Sequence, residues 1–157
     1  MKFICSLIVV ENIEKSRYFY EKLLGQKVVS DFGENVAFEG GFAIHQKAHF
    51  SKLICNLPIG KKTNNFELYF EDDAIEEIVK ILHANGIEFI HEIMEQPWKQ
   101  RVTRFYDYDF NAIEIGERME HVAYRLHMEN YSIDEICKIT YLSEEKVRSS
   151  VEEYFKK

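Results

Sequence analysis

The sequence predicts an α+β fold: two βαβββ modules forming one cupped mixed sheet, followed by a C-terminal helical extension. Three observations predict it. A strand, a helix and three strands can be read in order over residues 1–50. The same order returns over residues 66–117, and beyond Glu117 the apolar spacing is helical only. The chain of 157 residues, 46% apolar and 14% aromatic, is long enough to bury a core without disulfide or metal staples.

In the first module, Phe3 to Val10 is a β-rich run expected to be buried on both faces. Asn12 can cap a helix whose apolar residues Ile13, Phe19, Tyr20, Leu23 and Leu24 fall on one side, with Gly25 to end it. Strands are expected at Lys27 to Ser30, Asn35 to Glu39 and Phe42 to Gln46, the last two joined by the Gly40-Gly41 hairpin signal. Lys47 to Asn65, with Pro58, Gly60, Lys61, Lys62 and Asn64-Asn65, reads as a linker between modules, and His49 within it carries no assigned role.

The second module repeats the cycle. Phe66 to Phe70 is a strand, and Ala74 to Asn85 is a helix with Ile75, Ile78, Val79, Ile81 and Leu82 inward, closed by Gly86. Strands follow at Ile87 to Ile93, Arg101 to Tyr106 and Ala112 to Ile115. Sliding the chain so that Cys5 meets Glu67 also brings Ile13 onto Ile75 and Glu14 onto Glu76. A slightly larger shift lays Ala43-Ile44-His45 on Ala112-Ile113-Glu114, the difference being taken up by the loop around Gln96-Pro97-Trp98. Internal duplication explains both. The expected domains are therefore 1–117, made of modules 1–50 and 66–117, and a helical tail at 118–157. In the tail, Ser132 with Glu135 makes a capping box and Ser143 can cap a last helix.

Charge and composition exclude several classes of function. A formal net charge of −7 disfavours a nucleic-acid surface and an anionic membrane face. The tail resembles a helix-turn-helix unit, yet it carries seven basic against nine acidic residues between Glu117 and Lys157, so packing or dimerisation suits it better than phosphate contact. Cys5, Cys55 and Cys137 lie far apart in an odd number, which points to reduced thiols and a cytoplasmic setting. The run from Phe3 to Val10 is too short to span a bilayer and leads into Glu11-Asn12 rather than a cleavage site for a signal peptide.

Alternation along the strands places Glu67, Tyr69 and Glu71 on one face, and Ala112 with Glu114 on another. Glu67 and Glu114 interrupt otherwise apolar strands, and a buried carboxylate is costly unless paired or metal-bound. Ser16, Phe19-Tyr20 and Leu24-Gly25 resemble the Ser-x-x-Phe-Tyr…Leu-Gly signature of the vicinal oxygen chelate superfamily, which includes glyoxalase I, bleomycin-resistance proteins and extradiol dioxygenases. Asp107, Asp109 and Glu114 resemble its Asp-Pro-Asp-Gly…Glu turn and strand, with Tyr108 and Phe110 standing where the family has Pro and Gly.

The resemblance implies a site in the cup where four strand positions can hold a divalent metal. Carried over residue by residue, those positions are Cys5, His45, Glu67 and Glu114. One His, two carboxylates and a thiol make a chemically possible set for Zn, Fe, Mn or Ni. The implied chemistry is of the lyase, isomerase or oxygenase kind, with two vicinal substrate oxygens on the metal and Glu67 or Glu114 as the proton shuttle. Against this stand plainer readings: His45 as a hydrogen-bonded core residue, Cys5 as a small hydrophobe, and the two glutamates paired with Arg101 or Arg104. Trp98 can wall a ligand pocket, with Arg101 receiving an anionic group and Tyr69 lining the same cup, or it can pin its loop. Two further functions remain open, a metal-free small-molecule binding or resistance protein and a ligand-responsive regulator using the tail. The expected partners are a small-molecule ligand and, by the resemblance, a second copy in a homodimer.

Overall fold

The computed structural model describes residues 1–156 and contains two four-stranded sheets of matching order. In the first sheet, β1 (Ser6–Val10) lies beside β4 (Phe42–Gln46), followed by β3 (Asn35–Phe38) and β2 (Val28–Asp31). In the second, β5 (Glu67–Glu71) lies beside β8 (Ala112–Gly116), followed by β7 (Arg101–Tyr106) and β6 (Phe89–Glu95). Each sheet thus sets the first strand of its module beside the last, as duplication of one βαβββ unit requires. β1 and β4 run parallel, with Val9 level with His45, while β3 is antiparallel to both β2 and β4.

Local chemistry accounts for the elements. Asn12 caps α1 (Ile13–Arg17), its side-chain oxygen accepting the Lys15 N–H at 3.0 Å. The helix then widens into a π-helical stretch, Tyr18–Leu23, in which the consecutive residues Phe19 and Tyr20 are both fully buried. Phe19 meets Phe105 and Tyr108 edge-on, whereas Tyr20 packs on Phe38 and Phe42. Gly25, at φ 64°, ends this stretch in a left-handed turn that other residues adopt only at a cost.

Two expectations need correction. The first strand begins at Ser6, not Phe3: Phe3 and Ile4 are exposed, and within the strand Ile8 and Val10 are buried while Leu7 is not, so it is buried on one face only. The stretch expected to be a linker opens with a helix, α2 (Lys47–Leu53), capped by the Gln46 side chain, which accepts the His49 N–H at 2.9 Å. Gln is a weak capping residue, and the helix has no Gly or Ser/Thr/Asp/Asn punctuation at its start, which is why pattern reading passes over it.

By contacts the chain falls into two compact units. Unit 1 comprises Met1–Glu67, Ile78–Glu88 and Phe105–Ile113; unit 2 comprises Leu68–Glu77, Phe89–Arg104 and the stretch from Glu114 onward. The core of unit 1 gathers Ile8, Val10, Phe19, Tyr20, Val36, Phe38, Phe42, Ile44 and Phe105, all buried. α3 (Ile75–Ala84) begins in unit 2 and continues in unit 1, contributing Leu82 to the latter.

Unit 2 holds the three tail helices, α4 (Met119–Met128), α5 (Ile133–Thr140) and α6 (Glu144–Phe155). They share a core of Val122, Ala123, Leu126, Ile136 and Val147, ringed by Met119, Tyr131, Ile133, Cys137, Ile139 and Leu142. The expected capping box is present: Ser132 receives the Glu135 N–H and the Glu135 carboxylate receives the Ser132 N–H. Ser143 caps α6 in the same way through Lys146. Polar ties fix α4 to its own unit. Arg118 pairs with Asp73, and Arg125 reaches both the Glu117 carboxylate and the Lys99 carbonyl. Among the described residues no helix is long and apolar enough to cross a membrane.

Candidate functional site

The four positions singled out for a metal are each described within the unit that holds them. His45, the penultimate residue of β4, lies on the face opposite Ile44 and is buried. Its Nδ1 lies 3.1 Å from the Asn35 side-chain nitrogen and its Nε2 lies 2.7 Å from His49 Nδ1. An amide nitrogen can only donate, so Nδ1 accepts, the proton sits on Nε2, and Nε2–H donates to His49. The His49 ring stacks on His45 at 5.0 Å and Phe50 meets it edge-on at 5.5 Å, so α2 covers this end of the strand. Burial first, and the neighbouring His49 second, push the His45 pKa below its ordinary value.

Cys5 is not beside His45. It precedes the first paired residue of β1, and Val9 is the residue level with His45. Four positions along parallel strands amount to roughly 13 Å, too far for one metal. Glu67, in unit 1, is exposed at the start of β5. Glu114, in unit 2, is buried and ion-paired with Arg104 on the neighbouring strand β7.

The other selected residues lie in unit 2. Tyr69 and Trp98 meet through Gln100, which is buried: its side-chain oxygen accepts the Trp98 indole N–H at 2.9 Å, and its amide donates to the Tyr69 hydroxyl at 2.9 Å and to the Glu117 carbonyl at 2.7 Å. The Tyr69 hydroxyl donates in turn to Glu71, and its pKa is pushed up to about 12 by burial and by that carboxylate. Arg101 is held by Glu117, at 2.5 Å, and by Glu76. Both terminal nitrogens of its guanidinium are thus engaged within the protein, where they neutralise a fully buried glutamate, while its buried Nε has no hydrogen-bond partner among the described residues.

A cleft in unit 1, at the far end of β1, can take a small molecule. It encloses about 720 Å³ and is lined by Glu11, Asn12, Glu14, Lys15, Tyr18, Lys61, Tyr108 and Asp109. A smaller groove of about 230 Å³ shares Glu11, Lys61 and Asp109 and runs over Leu7, Val9, Ile59 and Phe66. The larger volume lies within the range of small-molecule sites, about 300–1,000 Å³.

A turn builds the cleft wall. Asp107, buried, collects the Tyr20 hydroxyl at 2.9 Å, the Asn111 amide at 2.8 Å, and the backbone N–H groups of Asp109 and Asn111, both at 2.9 Å. Burial still holds its pKa above the usual carboxylate value, with these four bonds pulling the other way. The Phe110 N–H closes the turn on the Asp107 carbonyl at 3.1 Å. Phe110 itself has φ 65°, the left-handed conformation that glycine adopts without cost. Its ring offsets that cost by lying against Lys62, at 4.7 Å, and Lys61, at 5.8 Å. The turn delivers Asp109, whose Oδ1 accepts the Glu11 N–H at 3.0 Å, and Tyr108, whose ring is braced by Phe19 at 5.5 Å.

A family model described as glyoxalase-like domain matches residues 3–120. The chain belongs to the glyoxalase-like family. A solved structure described as a protein of unknown function from Agrobacterium tumefaciens str. C58 is 38% identical, with a TM-score of 0.67 over 75% of this chain and 94% of that one. A lactoylglutathione lyase from Agrobacterium tumefaciens is 19% identical, with a TM-score of 0.57 over 74% of this chain and 92% of that one. A glyoxalase/bleomycin resistance protein/dioxygenase family enzyme from Burkholderia phytofirmans PsJN is 16% identical, with a TM-score of 0.64 over 74% and 98%. At these two lower identities the likeness is one of fold. No functionally curated protein matches the sequence.

Members of the glyoxalase superfamily commonly use a divalent metal, and the residues present here do not fit one. Both ring nitrogens of His45 are spent on Asn35 and His49, Cys5 is displaced along the strand, and Glu114 is neutralised by Arg104. Among the described residues no three His, Cys, Asp or Glu side chains form a group that could hold a metal ion. Sequence reading missed Asn35 and His49. The four-residue spacing of His45 and His49 becomes a signal only once α2 is known to follow the strand. It also missed the cleft, because Glu11 to Tyr18, Lys61 and Tyr108 come from three separate segments with no shared motif.

Proposed function

We propose that the protein binds a small organic molecule without a metal ion, in the cleft bordered by Tyr18, Tyr108 and Asp109. The observation that carries this reading is the state of His45. To ligate a cation through Nε2 it would have to give up its bond to His49 and push aside the α2 residues His49 and Phe50 that cover it, and through Nδ1 it would have to give up the Asn35 amide. A buried polar group with all its bonds made is expensive to disturb, by about 1–3 kcal/mol for each bond lost without replacement. The cleft supports the second half of the reading through its volume, its two aromatic side chains and its mixed charge.

The test is a thermal-shift screen of small aromatic compounds, run with and without a chelator, on protein purified without an affinity tag. Organic ligands should raise the melting temperature in a concentration-dependent way and the chelator should leave it unmoved. A melting temperature that falls on chelation and recovers with Zn²⁺, Mn²⁺ or Ni²⁺ would contradict the proposal and favour the metal-dependent lyase, isomerase or oxygenase reading of the family.

A further inference from the structure

We infer that this cleft is a slot for a flat, uncharged aromatic guest that hydrogen-bonds the Tyr108 hydroxyl, with its two tyrosine walls set by the π-helical stretch Tyr18–Leu23; the inference rests on the reading that the cleft takes a ligand.

Both aromatic walls depend on one short run of sequence. Tyr18, Phe19 and Tyr20 open the π-helical stretch, whose wide turn buries Phe19 and Tyr20 together and leaves Tyr18 48% exposed at its start. Phe19 meets the Tyr108 ring edge-on at 5.5 Å, and the Tyr20 hydroxyl donates to Asp107, which gathers the turn carrying Tyr108. The Tyr18 hydroxyl is itself tied to Asn85 at 3.3 Å. Three consecutive residues therefore supply one wall and hold the other. Tyr108 is 39% exposed, and its hydroxyl has no hydrogen-bond partner among the described residues. Its pKa is raised by burial first and by the Tyr18 hydroxyl second, so the two phenols share one space. Rings braced from behind and open in front offer flat faces to a planar guest.

The charges around this space cancel. Glu11 is paired with Lys47, which leaves Lys61 and Lys15 to offset Asp109 and Glu14. Lys15 and Glu14 are exposed neighbours on α1, and water screens both. Asp109 is half-buried; burial raises its pKa most, while the Glu11 N–H bond and the Lys61 charge pull the other way. No surplus of either sign is left to reward an ion. A charged guest would give up hydration on entering a lining that is mostly carbon, whereas an uncharged one gives up little. What this lining can select is shape and one hydrogen bond: a flat ring against tyrosine, and a polar atom opposite the Tyr108 hydroxyl.

The test is isothermal titration of the full chain with three flat isosteres: benzamide, benzamidine and benzoate, which are neutral, cationic and anionic near neutral pH. Benzamide should bind saturably and at least about tenfold more tightly than either ion. On the unsubstituted protein, proton NMR should place the benzamide-induced shifts on the Tyr18 and Tyr108 rings, a reading that depends on no variant folding. Tyr108→Phe keeps the ring and should weaken benzamide about two- to tenfold through the loss of one hydrogen bond. An unchanged affinity in that variant would overturn the assigned hydrogen bond. Equal or tighter binding of benzamidine or benzoate, with shifts at the same two rings, would overturn the neutral selectivity and leave the cleft reading standing. Shifts centred away from both rings, or no saturable binding by any of the three, would overturn both.

Discussion

His45 and Glu117 show how the same chain disposes of polar groups it has buried. His45 does so with neutral partners. Its imidazole is kept uncharged by burial and by His49, which predicts a titration midpoint below the ordinary histidine value of about 6.5. A histidine with a lowered folded pKa contributes stability that is present above the unfolded value and is lost as the pH falls toward the folded one. Nitrogen NMR of the imidazoles should find His45 protonated on Nε2 at neutral pH and titrating below 6.5. A midpoint above 6.5, or an Nδ1–H tautomer, would break the assigned bonding to Asn35 and His49.

Glu117 uses charge instead. It is fully buried, bonded to Arg101 and within reach of Arg125 and of His121 at 3.2 Å. Burial alone would raise its pKa, but the Arg101 bonds and the two arginine charges outweigh burial and hold it below the usual glutamate value. Asp73 is lowered on the same balance, by Arg118 and the Tyr154 hydroxyl. For a lowered carboxylate the stabilisation is present above the unfolded pKa, about 4.3 for Glu, and is lost as pH falls through the folded value. Urea midpoints should therefore drop below about pH 4.3. Glu117→Gln should flatten that drop and, by stranding two arginines, cost about 3 kcal/mol or more at pH 7. A variant within about 0.5 kcal/mol of the parent would contradict this account. Neither environment could be read from the sequence. Glu117 stood at the boundary of the expected domain with no assigned role, and His49 in an expected linker, because burial is decided by what folds over a residue rather than by its neighbours in the chain.

The elements themselves were largely legible, and their caps most of all. Asn12, Ser132 and Ser143 each mark a helix start that the structure contains, because a short side chain accepting an N–H two or three residues on is local chemistry. α2 was not legible, since its start depends on a Gln and on contacts with β1 and β4. The outer part of the first strand was overread: Phe3 and Ile4 are apolar but exposed, and a pattern cannot distinguish an apolar residue that is buried from one that is not. The tail helices have an apolar core of their own around Leu126. Leu126→Ala should cost about 2–5 kcal/mol by chemical denaturation, and a loss below about 1 kcal/mol would mean that this core is not packed as described. That core and the ties of Arg118 and Arg125 make the tail a structural part of unit 2. A chain whose last helix carries Glu144, Glu145, Glu152 and Glu153 on its exposed side gives no support to contact with phosphate.

For the molecule as a whole, two modules of strand, helix and three strands were foreseen from their recurrence along the chain, and the family followed from two short motifs. The function was not, because membership supplies four positions and not the groups that surround them. By the resemblance Cys5 and His45 would share a site, yet the register of β1 and β4 sets them four residues apart. The central claim is that the ligand is held without a metal. Its most direct test is elemental analysis by inductively coupled plasma mass spectrometry, on protein incubated with Zn²⁺, Fe²⁺, Mn²⁺ and Ni²⁺ and then desalted. The account predicts that each metal stays far below one equivalent per chain. About one equivalent of any of them, retained through desalting and lost in His45→Ala, would contradict it.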